Sequence, residues 1–168
     1  MRTLNLCIMG LILSELFFTA CESDSGETYK TTGKITVENK AGNKFAKQFT
    51  FTVNARNWRR LSSIDRYVQI SAPDITSEIM QHGAVIIYLN ESGKKVALPF
   101  TYYQVRRAMS FQPSYEEGFV YVNILGNFIL NVSTSYTFNV LVINAKGLSH
   151  FKNLDWHNYD EVKKVLIL

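Results

Sequence analysis

The chain has 168 residues, of which 46% are hydrophobic, 13% aromatic and 19% charged, and a formal net charge of +4. Eleven Phe, nine Tyr and two Trp supply enough apolar area to exclude disorder over most of the length, and two cysteines are too few for a disulfide scaffold. Eighteen basic against fourteen acidic groups, scattered along the chain, leave no nucleic-acid footprint, so no such partner is expected.

Residues 1–20 read as an export signal. Arg2 supplies a positive start, residues 4–13 are apolar apart from Asn5 and Gly10, and Ala20 precedes Cys21. A charged start, a short apolar core and a small residue before the cut define such a leader. The apolar run is about half of the ~20 residues that a membrane span needs, and Glu15 keeps it from extending. Phe18-Thr19-Ala20-Cys21 resembles the lipobox of bacterial lipoproteins, with Phe18 where that family usually has Leu. The resemblance implies a diacylglycerol on the Cys21 sulfur, cleavage between Ala20 and Cys21, and acylation of the freed amine. Cys7 falls in the discarded segment, so the mature chain would keep one thiol. Two or more acyl chains, at ~0.8 kcal/mol per buried methylene, suffice for a stable anchor where one does not.

Residues 21–33 are then the lipidated cysteine and a flexible polar tether, with little to bury and, as a coil, a reach of ~20 Å. Glu22, Asp24 and Glu27 resemble the acidic signal that sends lipoproteins of the Bacteroidota to the outer face of the outer membrane; they also fit an ordinary solvated linker. The expected location is a bacterial envelope, anchored in the outer membrane, with either face open.

Residues 34–168 read as one β-rich domain. Ile35 and Val37 alternate with polar neighbours. Ala41-Gly42-Asn43 makes a turn. Phe45, Phe49, Phe51 and Val53 share one parity, which gives a half-buried strand. Residues 67–70 form another strand, ended by Pro73. Residues 74–81 have helical spacing, with a left-handed stop expected at Gly83. The apolar run 84–89, the turn Asn90-Glu91-Ser92-Gly93 and the return 96–98 make the clearest hairpin. Residues 102–111 and 119–125 pair around 113–118, residues 128–130 read as a short strand, and Tyr136, Phe138, Val140 and Val142 as another. Residues 149–158 look irregular. Asn158 then caps a helix over 159–165 that packs Val162 and Leu166 on the body. Short strands with frequent turns predict an all-β, antiparallel sandwich, immunoglobulin-like, with one or two short helices; a small barrel is the alternative.

Across this length Trp58, Tyr67, Ala72-Pro73-Asp74-Ile75-Thr76, Gly83-Ala84-Val85, Tyr88, Leu98-Pro99-Phe100-Thr101-Tyr102-Tyr103, Asp155 and Tyr159-Asp160-Glu161-Val162 come in order. The chain resembles a group of small lipoproteins of the Bacteroidota type. The resemblance implies an envelope location and a compact β domain; it brings no activity and no catalytic residues.

Chemistry-bearing clusters are sparse. His150, His157, Asp155 and Asp160 match no zinc spacing, so no metal and no cofactor are expected. His82 reads as the end of a helix. Glu116 and Glu117 are adjacent, not convergent. No G-x-S-x-G, phosphate loop or dinucleotide fingerprint is present. Aromatic rings beside donors are the remaining signal: Trp58 with Arg59, the pair Tyr102 and Tyr103 near Arg106 and Arg107, and Trp156 near Tyr159. Such rings stack on sugars, or anchor a protein partner; most aromatics in a small sandwich instead fill its core. The leading expectation is a non-enzymatic, membrane-anchored binding or structural domain. A carbohydrate-binding accessory lipoprotein and an envelope hydrolase are the alternatives.

Overall fold

The computed structural model describes residues 36–40, as backbone, and 43–166. The expected leader, Cys21, the tether and residues 34–35 lie outside the described residues, as do Ala41 and Gly42 of the first turn.

Two antiparallel sheets pack as a sandwich that does not close into a barrel. In chain order the strands are β1 (Thr36–Lys40), β2 (Ala46–Val53), β3 (Arg59–Arg60), β4 (Asp65–Ser71), β5 (Ala84–Glu91), β6 (Lys94–Ala97), β7 (Phe100–Gln104), β8 (Arg107–Glu116), β9 (Phe119–Gly126) and β10 (Tyr136–Ile143). The first sheet has the order β1-β2-β10-β5-β6 and the second β3-β4-β9-β8-β7. The expected sandwich is therefore what forms. Its connectivity departs from the immunoglobulin order, in which the last strands belong to the sheet opposite the first. Here the last strand, β10, runs between β2 and β5 in the first strand's own sheet.

Among the described residues three short α-helices accompany the strands: α1 (Ser77–His82), α2 (Ala145–His150) and α3 (Tyr159–Leu166). The Asn158 side chain caps α3 through the Glu161 amide at 3.3 Å, as expected. Thr76 caps α1, and His82 is its last residue. Gly83 does come next, with φ −103°, so no left-handed stop is made. Its glycine has another cause: a Cβ there would lie 2.4 Å from the Ile143 carbonyl oxygen of β10.

Period-two alternation sets the faces of the sheets. Phe49, Phe51 and Val53 of β2 and Phe138 and Val140 of β10 point between the sheets, against Val120, Val122 and Ile124 of β9. The opposite face of the first sheet is also covered. Tyr88, Leu141 and Ile143 meet Tyr159, Val162 and Leu166 of α3. β10 is buried on both faces, which explains why its sequence is apolar almost throughout. On this outer side Gln48 is buried too, because the Tyr159 hydroxyl donates to its carboxamide oxygen at 3.0 Å.

Three further expectations are corrected. Residues 102–111 are not one strand; the chain turns at Val105-Arg106, where Arg106 has φ 65°, and separates β7 from β8. Residues 128–130 form no strand, since the Leu130 amide donates to the Ser63 carbonyl and closes a loop instead. Of the stretch 149–158, Ser149 and His150 end α2, which is capped by the Asn144 side chain on the Gly147 amide at 2.8 Å, while residues 151–158 are irregular as expected. Gly147 seats this helix, since a Cβ would lie 2.7 Å from the Phe45 carbonyl oxygen.

The hairpin β5–β6 turns at Ser92-Gly93, both with positive φ, as a two-residue loop requires. Pro113 sits in β8 beyond Phe111, where pairing with β7 has ended, so its missing N–H breaks no ladder there. No helix among the described residues is long and apolar enough to cross a membrane.

Candidate functional site

The two sheets part at one end of the sandwich around a cleft of about 310 Å³. Its walls come from distant segments: Glu91 ends β5, Tyr102 and Gln104 belong to β7, Arg107 and Met109 to β8, and Tyr136 opens β10. Phe128 and Thr134, from the loop between β9 and β10, complete it.

The floor is apolar because it is the edge of the core. Tyr136 meets Phe111 edge-on, with centroids 4.9 Å apart, and Tyr102 meets the same ring at 5.9 Å. The rim is polar. The Tyr102 hydroxyl donates to the Glu91 carboxylate, and the Arg107 guanidinium lies 5.1 Å from the centre of the Phe128 ring. An anionic acceptor, a cationic donor and flat rings thus surround one space, the pattern of a small-molecule site. Among the described residues no three His, Cys, Asp or Glu side chains converge as metal ligands.

The expected aromatic residues scatter. Trp58 is a core residue, 8% exposed, with edge-on contacts to Phe111, Tyr136 and Phe138. Its ring is closed to stacking by a ligand. Arg59 begins β3 beside Tyr67 in the second sheet. Tyr102 and Tyr103 are neighbours on a strand and so face opposite ways. Tyr102 lines the cleft, while Tyr103 is 81% exposed on the outside of the second sheet. Trp156 is half-buried against the cluster under α3, where its carbonyl accepts from the Tyr88 hydroxyl at 2.5 Å. Of the expected rings only Tyr102 reaches the cleft, together with the neighbouring Arg107. Glu91, Met109, Phe128 and Tyr136 escape sequence reasoning, since nothing in their spacing announces that these segments meet.

Three phenols are held neutral. Burial first, then the Glu91 carboxylate, pushes Tyr102 far above its ordinary range. Burial does the same to Tyr88, with Tyr159 and Asp155 adding to it. Tyr121 is pushed up to about 12 by burial and by its bond to Glu116. An unfolded phenol ionises near pH ~10. Above that the folded state holds the extra protons, so their contribution to stability is complete below pH ~10 and fades as pH rises through the folded values. The urea midpoint is expected to hold up to pH ~9.5 and to fall between pH ~10 and ~12, with the 295 nm phenolate signal of these groups in the folded protein appearing at higher pH than in the unfolded chain. A midpoint unchanged at pH ~11 would contradict this.

A second, more polar hollow lies between the β5–β6 turn and the start of α3, where Lys94, Lys95 and Lys163 face His157 and Asp160. The Lys95 ammonium is already engaged, donating to the Tyr159 hydroxyl at 2.8 Å. The chain matches no protein-family model, no curated protein and no solved structure, so its fold and cleft stand on their own geometry.

Proposed function

We propose that this protein is a lipid-anchored component of a bacterial cell envelope, held in the outer membrane through Cys21, whose sandwich is a non-enzymatic binding module. The ordered run of Arg2, an apolar core, Phe18-Thr19-Ala20-Cys21 and a polar tether carries the anchoring. The cleft of Tyr102, Glu91, Arg107 and Tyr136 supports a binding role, since it offers ring faces together with a donor and an acceptor. Its ligand is a small molecule with an apolar face and hydrogen-bonding substituents. A sugar ring is the second reading, favoured by Tyr102 and Tyr136 beside those polar groups. Affinity electrophoresis against a panel of polysaccharides separates it from other ligands, with retardation lost in Tyr102→Ala.

Cys21→Ser tests the anchor. The expected result is a chain that carries no diacylglycerol by mass spectrometry, escapes lipoprotein-type cleavage, and loses stable membrane partition after fractionation. Lipid found on the native protein at another residue, with Cys21 unmodified, would overturn the reading.

A further inference from the structure

Exposed apolar side chains gather at the end of the sandwich that holds the cleft. Val105 is 95% exposed, Tyr103 81%, Ile129 74% and Leu61 57%, with Ile64 and Leu125 beside them. They sit on the last residues of β7 and the turn that follows it, on the loop after β9, on the loop before β4 and on the end of β9 itself. Backbone bonds lace these segments together. The Asn127 amide donates to the Ala108 carbonyl at 3.1 Å, the Gly126 amide to Ile64 at 2.9 Å, and the Leu130 amide to Ser63 at 2.9 Å. Arg66 adds two more ties, to the Ser62 carbonyl at 2.5 Å and the Leu130 carbonyl at 2.6 Å. The apolar tips are thus held on an ordered frame.

The charge at this end is mainly positive. Residues 60–66, 103–107 and 125–130 contain Arg60, Arg66, Arg106 and Arg107, against the half-buried Asp65 and the Glu91 carboxylate of the cleft, which accepts from Tyr102. The opposite end carries Glu78, Glu116 and Glu117 around α1 and the β8–β9 turn, with Asp74 paired to Lys47 at 2.5 Å and Lys44 close by. The chain arrives at the cationic end. Thr36, where β1 begins, pairs with Thr52, and the adjoining Val53 pairs with Tyr136, the residue that closes the loop after β9.

We infer that this end is a docking surface for the anionic phospholipid bilayer in which the chain's own Cys21 is anchored. The inference rests on the proposed lipid anchor. Thr36 lies fifteen positions after Cys21; the tether expected from the sequence would have a reach of roughly 20 Å, which keeps a bilayer holding Cys21 close to the end at which β1 begins. A short tether gives an effective concentration on the order of mM, and a weak surface then suffices. Isolated aliphatic tips with Tyr and Arg among them are the side chains that sit at a lipid–water boundary, the apolar parts below the headgroups and the guanidinium groups among the phosphates. Docking sets the mouth of the cleft, which shares Gln104, Arg107 and Phe128 with these loops, at that boundary.

The test uses the mature full-length protein on vesicles of phosphatidylethanolamine and phosphatidylglycerol. Nitroxide probes are placed singly at Val105→Cys, Ile129→Cys and, at the acidic end, Glu117→Cys. The expected result is that the first two relax at least about three times more with lipid-dissolved oxygen than with a water-soluble nickel complex, while the third shows the reverse. Intact mass reports the Cys21 lipid separately. Probes at 105 and 129 as open to nickel as that at 117, on a protein whose Cys21 is lipidated, overturn the docking surface and leave the anchor standing. Buried probes with an unmodified Cys21 retain the surface and overturn the anchor, and open probes with an unmodified Cys21 overturn both. Probes shielded from both reagents mean that protein covers this end, and the inference falls.

Discussion

Phe138→Ala is expected to lower the free energy of unfolding by about 3–5 kcal/mol. The ring is fully buried on the central strand of the first sheet. It stacks on Phe51 at 5.2 Å and meets Phe111 at 6.1 Å and Trp58 at 6.3 Å. These neighbours belong to β2, β8 and the segment before β3, each pinned by its own connections, so the hole left by truncation cannot close. A domain of this size has only about 5–15 kcal/mol to lose. Urea titration should show a lower midpoint with an unchanged slope. Phe119→Ala, at an exposed position on β9, should shift it by under ~0.5 kcal/mol. A Phe138→Ala loss below ~1 kcal/mol would mean that the sheets do not pack through this ring cluster.

Tyr88→Ala should cost a similar ~3–5 kcal/mol, with a different signature. Tyr88 is fully buried on the other face of the first sheet, edge-on to Tyr159 at 5.0 Å. Its hydroxyl donates to the Trp156 carbonyl at 2.5 Å. The single side chain therefore holds both the start of α3 and the segment before it. Amide exchange in α3 is expected to accelerate well beyond that in β9, because the outer layer loses its attachment before the sandwich does. Tyr88→Phe keeps the ring and removes only the donor, at about 1 kcal/mol. Equal acceleration throughout the chain would show that the helix and sandwich open as one unit.

Tyr88 also shows why the outer layer is only half legible in the sequence. Residues 84–89 read as one apolar run, which predicts a central strand. The helix over 159–165 is expected to pack on the body through Val162 and Leu166, and it does. What it packs on is not readable. Tyr159 meets Gln48, a residue whose polarity marks it as solvent-facing on β2. A polar residue is buried when a distant donor arrives, and nothing near Gln48 in the chain announces that donor.

The cleft is less legible still. Tyr102 and Tyr103 stand out as a pair near arginines. Alternation says that they face opposite sides, but only the register with Met109 and Ala108 decides which one points inward. Trp58 next to Arg59 suggests a surface stack. A 3-10 turn at Ala55–Asn57 precedes it, and the indole packs into the ring cluster. Val105 fits inside a strand by its sequence, because an apolar residue between Gln104 and Arg106 matches the alternation of a ladder. It is instead the tip of a two-residue turn, an unusual place for Val, and that exposure is visible only once the hairpin is formed.

The amino-acid order alone therefore determined the sandwich class, most strand positions and the cap of α3, because each depends on neighbours within about one helical turn or on strand alternation. Tertiary structure decided the strand order, the covered outer face of the first sheet, the meeting of Glu91, Tyr102, Arg107 and Tyr136, and the gathering of apolar tips and arginines at one end. Those features join segments tens of residues apart, and such contacts arise from how whole faces bury one another rather than from any local preference.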